Sequence, residues 1–102
     1  MIIVELKVIP LGTGKPGLSE YVAKAVEAIR KEGITPETGA MGTVFEAKTI
    51  DRALEAVKKA HQAMFSDGAK RVVTFVEMDE RRDKEGTISR KKESISSKLK
   101  AR

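Results

Sequence analysis

One short run combines the groups that would hold a small polar ligand: Met41-Gly42-Thr43, followed by Glu46. A glycine ahead of a strand lets a ligand approach the backbone. Thr43 offers a hydroxyl, and Glu46 a carboxylate able to pair with a protonatable ring nitrogen or an exocyclic amine. The same residues also make an ordinary hairpin turn with a solvent-facing glutamate, and residue types alone favour that plainer reading. Gly12-Thr13-Gly14-Lys15-Pro16-Gly17 matches G-x-G-x-x-G between a strand and a helix. Pro16 falls where a dinucleotide-binding turn needs backbone amides, and the chain is too small for a doubly wound sheet. The run is read as a turn-forming loop whose amides, at the mouth of a helix, can at most meet an anion. His61 is the single histidine and there is no cysteine. No thiolate site, disulfide or metal site follows, and no cofactor is called for. His61 falls on an apolar helical stripe and reads as a hydrogen-bonded core or interface residue. No nucleophile, base and orienting group line up, so an enzyme is the least favoured class. Residues 79–95, DERRDKEGTISRKKESI, are the densest polar stretch and suit ion pairing at a contact or around a ligand.

These residues must be positioned by strands and helices whose periods are readable. Residues 2–9 alternate, with Ile2, Val4, Leu6 and Val8 on one face and Ile3, Glu5, Lys7 and Ile9 on the other. Pro10 and Gly12 break that strand. Leu18, Val22, Ala25, Val26 and Ile29 then repeat at helical spacing. Ser19 can cap the first turn, and Gly33 stands just past the end. Residues 34–40 form a short strand, confined to an edge by Pro36. Residues 43–48 form another strand. The second helix starts at Thr49 or Asp51 and ends at Asp67 and Gly68. Its buried stripe is expected to be Ile50, Ala53, Leu54, Val57, His61, Met64 and Phe65. Arg71–Glu80 is the most strand-like run, with apolar residues on both registers: Val72, Val76 and Met78 on one, Val73 and Phe75 on the other. Both of its faces should therefore be covered. A last helix runs from about Ser89 to Lys100, anchored by Ile88, Ile95 and Leu99.

The order βαββαβ with short loops predicts an α+β, ferredoxin-like sandwich: two helices on one face of a four-stranded antiparallel sheet ordered 4-1-3-2, plus an extra C-terminal helix. The chain reads as one domain, 1–102, with a core at 1–86 and a helical appendage at 87–102. The last strand then lies at an edge, and the open face carries Ile3, Ile9, Val73 and Phe75. Such surface calls for a second copy, so a homodimer or a dimer of dimers is expected. The net charge of +5 resides in residues 81–102, which hold nine Lys/Arg against three Asp/Glu. A solvated helix face accounts for it, and contact with nucleic acid is the lesser reading. Four aromatic residues are too few for a platform that stacks bases. No run suits a signal peptide or a membrane span, and a cytoplasmic protein is expected.

The chain resembles the small thiamine-binding family related to YkoF. The likeness lies in the Pro10-Leu11-Gly12 end of strand one, Ser19-x-Tyr21-Val22-Ala23, Met41-Gly42-Thr43 with Glu46, and His61. It continues through Arg71-Val72 and Asp79-x-Arg81-x-Asp83-Lys84, with Lys91 and Ser94 beyond. The resemblance implies the same fold, association into dimers and commonly tetramers, and binding of thiamine or its hydroxymethylpyrimidine part without catalysis. On that basis Glu46 would pair with the aminopyrimidine, Ser19 and Thr43 would hydrogen-bond, and Pro10, Met41 and Gly42 would shape the wall. A nucleic-acid accessory protein using the basic helix, and a structural or regulatory oligomer, are the alternatives.

Overall fold

Alternation at period 2 fixes the central strand. In the computed structural model, which describes residues 1–66 and 68–100, β1 spans Ile2–Leu11 with every second side chain buried. The strand runs through Pro10 rather than stopping before it. β3 (Thr43–Ala47) begins opposite Leu6, so beyond that point β1 has a partner on one side only, where a proline is tolerated. β3 pairs antiparallel with β1, and the two-residue β2 (Glu37–Thr38) lies outside it. β4 (Arg71–Glu80) pairs antiparallel with the whole length of β1. The sheet order is β2-β3-β1-β4, as the ferredoxin-like topology requires.

The helices α1 (Ser19–Lys31) and α2 (Ile50–Ser66) cover one face of the sheet. They close a core of Val4, Leu6, Ile29, Phe45 and Met64 with neighbouring small residues. Gly33 takes φ of 78° past the end of α1 and its N–H reaches the Arg30 carbonyl, a conformation that favours glycine. The first turn of α1 differs from expectation. Ser19 is its first residue, Leu18 precedes it, and no side chain caps it. For α2 the cap is Thr49, whose Oγ1 accepts from the Arg52 N–H at 3.2 Å. The buried stripe of α2 also differs: it is Ala53, Ala56, Ala60 and Met64. Three alanines let α2 sit close to its neighbours, and Ile50, Leu54 and Phe65 are left on the flanks, exposed. Asp67, expected to end α2, lies outside the described residues.

The apolar residues of β4 fall on both registers, as their spacing predicts, and a single copy covers neither face completely. Phe75 is 56% exposed, and Val76 and Met78 are exposed as well. The final helix, α3 (Ile88–Lys100), buries no residue, and its expected anchors Ile95 and Leu99 are 60% and 64% exposed. Ile88, at its start, is half-buried.

Candidate functional site

The face of the sheet opposite α1 and α2 can be assembled from the strand registers. Ile3 stands between Glu46 on β3 and Asp79 on β4. Two residues on, Glu5 stands between Val44 and Glu77, with Glu37 of β2 beyond Val44. Lys7 then faces Phe75, and Ile9 faces Val73. Ile3, Ile9, Val73 and Phe75 share this face as their spacing predicts. Five carboxylates gather around Ile3 toward the end where β1 begins, while Ile9, Val73 and Phe75 gather toward the other. Directly opposed like charges destabilise a sheet. Glu5 and Glu77 are such a pair, so a cation between them would be favoured.

Three of the carboxylates are engaged by α3. Glu46 Oε1 accepts the Ile88 N–H at 3.4 Å, Glu37 pairs with Lys92 at 3.0 Å, and Asp79 pairs with Lys91. The segment before α3 is tied down as well. The N-terminal ammonium bonds Glu85 at 3.1 Å, and Arg82 pairs with Glu80. Arg81 forks onto both oxygens of Asp83, at 3.0 and 2.6 Å. That hydrogen bond holds the Asp83 carboxyl below its ordinary range and raises the Arg81 guanidinium. The polar stretch at 79–95 is therefore an ion-pair network made largely within one chain.

Glu46 also borders a cavity of about 590 Å³ between the end of β3, the first turn of α2 and the start of α3. That volume falls within the range of roughly 300–1,000 Å³ common for small-molecule sites. Ile34, Ile88 and Ala47 give it apolar wall, and Lys48 and Arg52 line it together with Glu37 and Glu46. Arg52 donates one N–H to the Glu32 carbonyl at 2.9 Å.

The remaining candidate residues lie elsewhere. Gly42 reaches the same face: a Cβ there would stand 2.8 Å from Glu5 Oε1 and 3.4 Å from Lys7 Cε. The bare backbone thus leaves room for the Glu5 side chain. Thr43 is buried on the helix side, as is Pro10. Met41 is 78% exposed in the turn before β3, and Ser19 is exposed at the start of α1, both at the end of the sheet away from the cavity. The structure brings Gly42 and Glu46 onto one face and does not bring Pro10, Ser19, Met41 and Thr43 to them. His61 Nδ1 lies 2.6 Å from Thr74 Oγ1, with Phe65 edge-on to its ring. It is tied between α2 and β4, as a structural histidine would be. Lys15 pairs with Glu20 at 3.2 Å, so the glycine loop is anchored to α1 by its own lysine.

Glu5, Glu77 and Phe75 were not among the expected site residues, nor were Lys48 and Arg52. Alternation in strand one does place Glu5 on the open face. Its alignment with Glu77, more than seventy residues away, has no local signal.

These features define a ferredoxin-like α+β domain with a carboxylate-rich open sheet face and a side cavity under its terminal helix. Comparison with known proteins places it more closely. A family model described as thiamine-binding protein matches residues 4–96, and the chain belongs to that family. A UPF0045 protein of Methanothermobacter thermautotrophicus is 46% identical over 99 residues, covering 97% of this chain and all of that one. A solved hypothetical protein from Methanocaldococcus jannaschii superposes with a TM-score of 0.85 at 42% identity, over 93% of this chain and 95% of that one. A Thermotoga maritima structure, described as a candidate thiamine biosynthesis/salvage protein, gives a TM-score of 0.73 at 27% identity, over 88% and 92%.

Proposed function

We propose that this protein is a non-enzymatic, cytoplasmic homo-oligomer that binds thiamine or a related hydroxymethylpyrimidine compound, to buffer or deliver it. The observation that carries this reading is the position of Glu46. In a member of the thiamine-binding family, it stands on the open sheet face at the mouth of a ligand-sized cavity. One of its oxygens takes the Ile88 amide, and the carboxylate can also pair with an aminopyrimidine. Glu5 and Glu77 on the same face favour a cationic ring. Gly42 keeps the backbone low on the same face. Thr43 and Pro10 act from beneath, by seating β3 and β1, while Met41 and Ser19 stand at the far end of the sheet, away from the cavity.

Oligomerisation is the second part of the proposal. β4 has a strand partner on one side only, and Val76, Met78, Leu54 and Phe65 lie exposed around it. Pairing of two β4 edges would satisfy the backbone and cover that apolar surface, and packing of open faces would make a dimer of dimers.

Calorimetry with thiamine and with free hydroxymethylpyrimidine tests the reading. Saturable binding that weakens about tenfold or more in Glu46→Gln is expected. Absence of heat and of competition at millimolar ligand would overturn it. Nucleic-acid binding is a weaker second reading, favoured by the basic α3, which buries no residue. Two of its lysines are already occupied by carboxylates of the same chain. Retention on RNA that falls steeply with salt and vanishes on deletion of residues 87–102 would support it instead.

A further inference from the structure

The cavity beside Glu46 is lined by charges of both signs, and they are not equally engaged. Its carboxylates have partners: Lys92 holds Glu37, and the Ile88 amide holds one oxygen of Glu46. Its cations are less committed. Lys48 is exposed and makes no ion pair among the described residues. Arg52 donates to one backbone carbonyl and carries further guanidinium donors. Unengaged positive groups that share a ligand-sized lining with a carboxylate match a molecule carrying both a donor and an anion. Two cations, one of them a guanidinium fork, suit a phosphate better than a single carboxylate.

We infer that the cavity takes the phosphate monoester of a hydroxymethylated aminopyrimidine, with the ring amine on Glu46 and the phosphate between Lys48 and Arg52. This rests on the binding function proposed above and makes the phosphorylated ligand the preferred one. The hydroxymethyl carbon is next to the ring amine, so ester and amine leave one edge of the ring together, and Glu46 and Lys48 stand only two residues apart in the chain. Free pyrimidine would leave Lys48 and Arg52 without a counter-charge. Thiamine would leave them so as well, because its second ring occupies the hydroxymethyl position.

Calorimetric titration of the full chain with free hydroxymethylpyrimidine, its phosphate monoester, thiamine and inorganic phosphate separates the outcomes. The monoester should bind about tenfold or more tighter than the free pyrimidine, the scale of one charge-assisted hydrogen bond. That preference should shrink as salt is raised. Lys48→Gln, at an exposed position, should remove most of the preference by weakening the monoester far more than free pyrimidine. Arg52→Lys should weaken the preference less. If free pyrimidine and the monoester bind equally, the phosphate assignment falls while the binding function stands. A preference that survives in Lys48→Gln would place the phosphate elsewhere and also overturn it. If no pyrimidine compound binds, both readings fall together.

Discussion

Arg81 and Asp83 show what a single surface contact does here. The fork between them is short, and it stabilises the charged form of both groups. A carboxyl whose folded value is depressed contributes stability above its unfolded value and loses it as pH falls through the folded one. Asp83→Asn should therefore leave the molecule slightly less stable near neutrality. The gap to the parent should close in acid, where the parent's carboxylate is protonated too. Both side chains are solvated, so screening keeps the effect small and salt-sensitive. Melting temperature followed against pH for the two proteins checks this; a gap that widens in acid would contradict it. Gly42 poses the opposite case, a contact made possible by an absent side chain. Gly42→Ala would push the flexible end of Glu5 aside, which costs little stability but alters the charge presented on the open face.

At the scale of elements, α2 and α3 differ in what holds them. α2 is locked by a close-packed alanine stripe and Met64, all without measurable exposure. α3 is held at its first turns by Lys91, Lys92 and the Ile88 amide, and it extends from there with its apolar residues in solvent. Solvent-exposed ion pairs contribute about 0–1 kcal/mol each. A chain ending at Gly86 should therefore keep its sheet and both core helices, melting no more than about 10 °C lower. Circular dichroism would show the loss of one helix's signal with the cooperative transition kept. Failure of the shortened chain to fold would mean that α3 supports the sheet in a way its contacts do not reveal. The same deletion removes one wall of the cavity, so ligand affinity should fall even where stability holds.

At the scale of the whole molecule, the decisive feature is the unpartnered edge of β4. Ten residues of strand with apolar side chains on both registers meet solvent in one copy. Exposed edges of this kind invite pairing, and charged residues on them prevent it. Val76→Lys should accordingly convert the proposed oligomer to monomer with the fold intact, as read by sedimentation velocity and circular dichroism at micromolar concentration. A parent protein that sediments as a compact monomer would remove the oligomer proposal altogether.

Much of this architecture was legible in the chain because it depends on local period. Residues 2–9 alternate and residues 18–29 repeat at helical spacing, and Gly33 marks a helix end through its own backbone freedom. The segment order then leaves few topologies, and the observed β2-β3-β1-β4 order is the expected one. Glu46 was legible as a candidate because its residue type and its place after Met41-Gly42-Thr43 carry the family likeness. The alignment of Glu5 with Glu77, the cavity facing Lys48 and Arg52, and the choice of an alanine stripe over Leu54 and Phe65 in α2 were not. Each depends on which distant segments meet and in what register. Long-range pairing decides that through packing of the assembled sheet and helices, and no local repeat in the chain encodes it.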